Sequence, residues 1–431
     1  MYQLPLIEKS VYQDTAFANN KKQPFHRWVN WIAGFSSSFV DQAIRRYLPK
    51  PSRHQTVLDP FGGVGTTPVT AYLRGHSVLA FEINPFPALV NRIKLRAIDE
   101  LDPEQLYQSI KCFKQRMRKN RTPQSQPPVG FNTRIQFYSP NVLRKVLQVW
   151  DFINEIEGDL LKGVYQVAFG ATMISFSNYT YEPSLTSRPG AGKDLIEDCD
   201  VTTVLATKLS EMHQDLLGVQ DKKPPCKPIH EVVNGSFLDA SLPPESIDLL
   251  ITSPPYLNNY HYVRNTRPQL YWLGFAKKPA DLHYLEENNY GKYWQTVRDS
   301  HNECSLLVDT PWIKALLKKI SAVQQDRRIY GGEGWANYAC EYFNDTLRFL
   351  QFTLQALKPK AKALIVVGNS ILKGVDVPVD RVFAEIARYV GFSKMEIHVV
   401  RDKRVGSSIV GTGSRTNSKK NLYEVVVEIE K

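Results

Sequence analysis

Apolar residues follow two rhythms along the chain, and the switch between them marks the first elements. SSSFVDQAIRRYL places apolar positions at helical spacing behind serines able to cap its start, and TVLDPF follows as a short buried strand. Next come the glycine turn GGVGTT, a helical TPVTAYLRG closed by Gly75, the strand SVLAFE and a helix from Pro87. Strand, glycine turn, helix and strand in that order make a βαβ unit. The strand rhythm returns in HEVVNGSFLD, IDLLITSPPY and AKALIVVGNS. Finally MEIHVV and LYEVVVEIE flank a Gly/Ser/Lys/Arg stretch from Arg401 to Lys420, a pattern that predicts a hairpin with a long basic loop.

Two interruptions separate these blocks. Residues 99–228 are mostly helical in pattern (NVLRKVLQVWDFINEI, VTTVLATKLSEMHQDLL), with a polar middle, NYTYEPSLTSRPGAGKD, that reads as loop. Residues 257–345 are rich in Tyr, Trp, Asn and Arg. The simplest architecture is one doubly wound α/β domain, formed by residues 1–98 and 229–431 and carrying both segments as insertions.

Charge narrows the range of partners. Lys and Arg total 54 against 43 Asp and Glu, a formal net charge of +11, which favours a polyanion such as nucleic acid. The five cysteines are scattered, without a CxxC pair or a histidine at metal-ligand spacing, so they read as reduced thiols and no metal site is expected. No apolar run reaches the roughly 18 residues of a membrane span, and the first residues lack the pattern of a signal peptide. A soluble cytoplasmic protein is the expectation.

Candidate chemistry sits at two strand ends. In VLDPFGGVGTT, Gly62, Gly63 and Gly65 lie between a strand and a helix, where backbone amides can approach a ligand closely. No Lys precedes Thr66, which excludes the phosphate-cradling GxxxxGK[ST] loop, and GxGxxG is also unmet. Glu82 ends the next strand, roughly 20 residues on, where a carboxylate can accept from both hydroxyls of a ribose. A nucleoside cofactor without a pyrophosphate fits this arrangement. The second end is LLITSPPY: two consecutive prolines remove the ladder donors, so the chain must leave the sheet at Ser253 as a stiff loop.

DPFGGVGTT, FEINP and TSPPY together resemble the amino-methyltransferase family of DNA-modifying enzymes, over about half of the chain. Its FxGxG motif is matched by Phe61, Gly63 and Gly65, and its (D/N/S)PP(Y/F) motif by Ser253, Pro254, Pro255 and Tyr256. The resemblance implies a Rossmann-like class I methyltransferase sheet of seven strands with an antiparallel C-terminal hairpin, and S-adenosylmethionine as cofactor. It implies cofactor contacts around Asp59, Thr66, Glu82 and Asn84 as well. Ser253 and the Pro254 carbonyl would accept from the exocyclic amine of a flipped base, and Tyr256 would stack on that base. SPPY resembles the cytosine-N4 branch. Adenine-N6 transfer, an RNA substrate and a non-catalytic nucleic-acid-binding module remain as alternatives.

One departure concerns the strand HEVVNGSF, where relatives often carry an acidic residue just after the glycine; Ser236 or Asp239 takes that place here. PFHRWVNWIAGFSS resembles the N-terminal motif that completes the methionine side of the pocket, with Phe35 and Ser36 as its candidates and His26 read as a solvated or satisfied histidine. Double-stranded DNA is the implied partner, with a possible cognate restriction endonuclease, for a monomer or dimer. Either insertion is a candidate reader: Arg188 and Lys193 lie in the first, and Arg264 and Arg267 in the second. Arg401, Lys403 and Arg404, together with Arg415, Lys419 and Lys420 in the C-terminal loop, are candidates for backbone contacts.

Overall fold

The computed structural model describes residues 11–12, 15–31, 34–119, 121–182, 184–219, 227–257, 261–293, 297, 304–323, 332–372, 374–401 and 422–431. The strand-patterned segments form one seven-stranded sheet: β1 Thr56–Asp59, β2 Ser77–Phe81, β3 His230–Val233, β4 Ile247–Thr252, β5 Leu357–Gly368, β6 Lys394–Arg401 and β7 Glu424–Glu430. Their spatial order is β3-β2-β1-β4-β5-β7-β6, with β7 antiparallel to both of its neighbours. The fold is therefore α/β and Rossmann-like, as the pattern of elements predicts, and the C-terminal hairpin is present. Strand order reverses between β1 and β4, and ligands of open α/β sheets bind beyond the carboxyl ends of the strands at such a point.

Period-2 burial divides the sheet between two cores. Leu249 and Ile251 of β4 face one core together with Val57, Val78, Leu364 and Val426. Leu250 faces the other, with Leu58, Ala363, Ile365 and Val427. Helices α1 (Ser37–Tyr47), α2 (Thr66–Leu73) and α3 (Pro85–Glu100) belong to the first.

The first insertion adds α4 (Pro103–Met117), α5 (Pro140–Glu155), α6 (Asp159–Thr172) and α7 (Val201–Val219), whose apolar faces join that same core. Close packing requires small residues on α6. A Cβ at Gly170 would stand 2.5 Å from Phe86 Cε2, and one at Gly163 would stand 2.2 Å from Ile93 Cδ1. Within this insertion the segment that reads as loop contains a short antiparallel ladder, Tyr179–Tyr181 against Leu185–Ser187. Its three-residue strands are too short for their alternation to stand out against polar surroundings.

The second insertion contributes α8 (Tyr262–Trp272), α9 (Ala280–Glu287) and α10 (Pro311–Ser321), and α11 (Gly332–Ala356) leads back into β5. Helix α12 (Val379–Val390) then covers the second core. No described helix is long and apolar enough to cross a membrane.

Candidate active site

Pro60 lacks the amide that would prolong β1, so the chain turns out at Asp59. The Asp59 carboxylate caps the turn: Oδ1 accepts from Phe61 N at 3.1 Å and from Thr252 Oγ1 at 2.6 Å. Gly62 N then donates to Phe81 O (2.8 Å), and Gly63 N to Glu82 Oε2 (3.0 Å). Gly63 and Gly65 adopt φ of +48° and +90°. Their surroundings differ. A Cβ at Gly65 would stand 2.8 Å from Asn91 Oδ1, whereas at Gly63 nothing lies nearer than Trp31 Nε1 at 3.7 Å.

Glu82 directly follows β2 with both oxygens already engaged, Oε1 accepting from Asn84 N at 2.8 Å. Burial pushes its carboxyl up to about 7, against the pull of those two amides. Each oxygen still has a lone pair for a further donor. Beneath the loop, Lys94 is fully buried and donates Nζ to Val64 O at 2.7 Å; burial brings its ammonium down to about 7.

At the end of β4, Pro254 is buried, while Ser253 and Pro255 line the same cleft as Gly63 and Glu82. Ser253 Oγ donates to Val366 O of β5 at 3.1 Å, which commits its proton and leaves the oxygen as an acceptor. Tyr256 follows Pro255, is half-buried, does not itself line the cleft, and donates Oη to Glu424 Oε1 at 2.9 Å.

The cleft lies beyond the carboxyl ends of β1, β2 and β4. Phe61, Asn84 and Ser236 also line it, so five of the eleven cofactor candidates meet there, whereas Asp59, Gly65 and Thr66 do not line it. Asn84 has a local task as well: its Oδ1 caps α3 at Phe86 N (3.2 Å), and its Nδ2 donates to Thr266 of α8 (2.8 Å). Thr66 is buried as the first residue of α2.

Other candidates lie elsewhere. Asp239 is exposed and does not line the cleft, in contrast to Ser236. Phe35 is buried in the first core, and Ser36 caps α1 by accepting from Phe39 N at 3.2 Å; neither lines the cleft. The PFHRWVNWIAGFSS segment contributes Trp31 instead, whose ring stacks on Tyr262 at 6.3 Å. His26 is neither solvated nor fully satisfied. It is buried, burial lowers it to about 3, and its Nδ1 has no partner among the described residues.

Sequence reasoning missed Ile83, Phe237 and Tyr290 in the lining. Ile83 and Phe237 adjoin chosen residues, and adjacency could have found them. Tyr290 carries no local signal. It reaches the cleft from the second insertion through edge-on contact with Phe61, ring centroids 5.0 Å apart.

The candidate DNA residues are scattered over the insertions, which meet each other. Tyr181 Oη donates to Asn265 O at 2.9 Å, and Arg267 donates to Asn132 O at 3.0 Å while lying over Phe131. Arg264 is exposed on α8, Arg188 donates to Asp194 O at 2.6 Å, and Lys193 pairs with Glu182. Arg401 lies 3.9 Å from Glu424. Lys403, Arg404, Arg415, Lys419 and Lys420 fall outside the described residues.

The cleft suits S-adenosylmethionine: an open glycine turn, a partly exposed carboxylate with lone pairs left for two hydroxyl donors, and aromatic walls. Chemically, it joins a nucleoside-sized site to a hydroxyl acceptor on a proline-stiffened loop.

Comparison with known proteins agrees with this reading. The chain is 25% identical to Type II methyltransferase M.BsoBI of Geobacillus stearothermophilus, over 91% of this chain and 83% of that protein. It is 21% identical to Type II methyltransferase M.AvaI of Nostoc sp. (95% and 87% covered) and 22% identical to Type II methyltransferase M.MvaI of Kocuria varians (88% and 83% covered). No protein-family model matches the chain. Among solved structures, a geranyl diphosphate methyltransferase in complex with GPP and sinefungin aligns over 98% of this chain and 88% of that one at 8% identity, with a TM-score of 0.33, too loose a likeness to argue from.

Proposed function

We propose that this protein is a DNA methyltransferase of a restriction-modification system that methylates the N4 amino group of a flipped cytosine, with S-adenosylmethionine as cofactor. The observation that carries the reading is the single cleft shared by Gly63, Glu82, Ser253 and Pro255. Near full-length similarity to Type II methyltransferases supports DNA as the substrate and a paired endonuclease as a partner.

S-adenosylmethionine, when bound, supplies an electrophilic methyl group. Glu82 would hold the ribose, with Ser236 and Ile83 beside the base, and the Gly63 turn would admit the cofactor's chain against the backbone. An exocyclic amine is a weak nucleophile because its lone pair is delocalised into the ring. Ser253 Oγ, its own proton committed to Val366 O, and the Pro254 carbonyl would accept the amine's two N–H bonds, which favours pyramidalisation as positive charge develops on nitrogen. Pro254 and Pro255 stiffen the loop, so these acceptors are held before the base arrives. Tyr256 stacks on the base, offsetting part of the cost of unstacking it, about a few kcal/mol. Arg188, Lys193, Arg264 and Arg401 are proposed to meet the duplex.

Nucleoside mass spectrometry of DNA incubated with the protein and S-adenosylmethionine tests this function. N4-methylcytosine is expected. N6-methyladenine alone would reassign the base, and methylation of RNA alone would reassign the substrate.

A further inference from the structure

We propose that Glu424 is a positioning residue that fixes the ring of Tyr256, and with it the surface against which the flipped base rests. The inference builds on the function proposed above and extends it to a residue outside both motifs.

Glu424 opens β7 and is only 7% exposed. A carboxylate so far from water is costly unless donors surround it, and three parts of the chain supply them. Tyr256 Oη donates to Oε1 at 2.9 Å, Thr15 Oγ1 donates to Oε2, and Arg401 Nη1 approaches Oε2 at 3.9 Å. Arg401 faces Glu424 because the β6–β7 register shifts between Val399 and Arg401, an irregularity that redirects a side chain at a sheet edge. The carboxylate is thus held from the far side by Thr15 and Arg401, and its other oxygen points at the tyrosine.

The consequence for Tyr256 follows from its position. Pro254 and Pro255 restrict the backbone before it, yet the side chain still turns about two torsions. A hydrogen bond to an ionised acceptor is roughly twice as strong as one between neutral groups, and here it ties the outer end of the ring. A ring set beforehand stacks on an arriving base without losing rotamer freedom at that moment. The tether spans 168 residues of sequence, so no local pattern announces it.

The test is a double-mutant cycle in the full-length chain with Tyr256→Phe, Glu424→Gln and the pair. Three quantities are read: single-turnover methyl transfer to duplex DNA, cofactor affinity by calorimetry, and fluorescence of 2-aminopurine at the mapped target position. Tyr256→Phe, which removes the donor, is expected to slow transfer about tenfold, Glu424→Gln, whose amide oxygen still accepts without the charge, by less, and the pair no more than Tyr256→Phe alone, because both act on one interaction. Cofactor affinity should stay within about twofold, and the flipped-base fluorescence should fall in parallel with the rate. Single effects that multiply, or a Tyr256→Phe enzyme with the wild-type rate, would overturn the inference while leaving the methyltransferase function standing. A wild-type protein that binds cofactor and methylates no DNA would instead remove the function, and this inference with it.

Discussion

Thr252 Oγ1 donates to Asp59 Oδ1 across 2.6 Å, joining the last residue of β4 to the last residue of β1. The two residues precede the two loops of the cleft, so one buried bond sets the glycine turn and the Ser253 loop relative to each other. Thr252→Val keeps the shape and removes the donor. The Asp59 carboxylate, already pushed up to about 6 by burial, would keep only the Phe61 amide on that oxygen. A loss of about 1–3 kcal/mol is expected in urea denaturation, accompanied by a raised KM for cofactor.

Glu82 links cofactor binding to pH. Its folded carboxyl lies at about 7 against an ordinary 4.5, so between those values the unfolded chain has released a proton that the folded chain retains. Stability of the cofactor-free protein should therefore fall as pH rises through that window. In the proposed role the ribose hydroxyls donate to ionised Glu82, so cofactor affinity should drop as pH falls below about 7. Calorimetry across pH 5.5–8.5 checks both signs, and Glu82→Gln should bind more weakly with little pH dependence.

The glycines divide between packing and access. Gly65→Ala places a Cβ at 2.8 Å from Asn91 Oδ1 on a backbone at φ +90°, and a loss of about 2 kcal/mol in stability is expected. Gly63→Val meets no comparable side chain, but its backbone at φ +48° strains a β-branched residue, and the new side chain fills the turn where a ligand would lie. Both variants should melt lower, and Gly63→Val should in addition lose more than about tenfold in cofactor affinity, whereas Gly65→Ala keeps most of it. Melting curves with and without cofactor separate the two effects.

In the proposed mechanism Ser253→Ala removes an acceptor aimed at a charge that develops only in the transition state. Its kcat should drop by about a hundredfold or more with cofactor Kd nearly unchanged. Equal losses in kcat and cofactor affinity would assign Ser253 to cofactor binding.

Asp215 of α7 fastens the N-terminal segment to the first insertion. It is 2% exposed and accepts from Phe25 N at 2.8 Å and Trp28 Nε1 at 3.0 Å, besides pairing with Arg27. Asp215→Ala strands two buried N–H donors and releases the partly exposed Arg27 guanidinium, so about 2–4 kcal/mol should be lost in one cooperative transition. A separate early transition would mean that the insertion unfolds by itself.

What the sequence determined by itself is local. The prolines at 60 and 254–255 dictated where β1 and β4 leave the sheet, the glycines dictated a turn open to a ligand, and runs of consecutive apolar residues specified a sheet buried on both faces. Those signals reside within a few residues, because steric limits on φ and the period of a strand act at that range. Tertiary structure decided the rest. Ser36 became a helix cap, Trp31 and Tyr290 became cleft walls, and Glu424 became the partner of Tyr256. Each of those outcomes depends on which surfaces meet when the insertions pack against the sheet, and contacts between segments far apart in the chain leave no spacing to read.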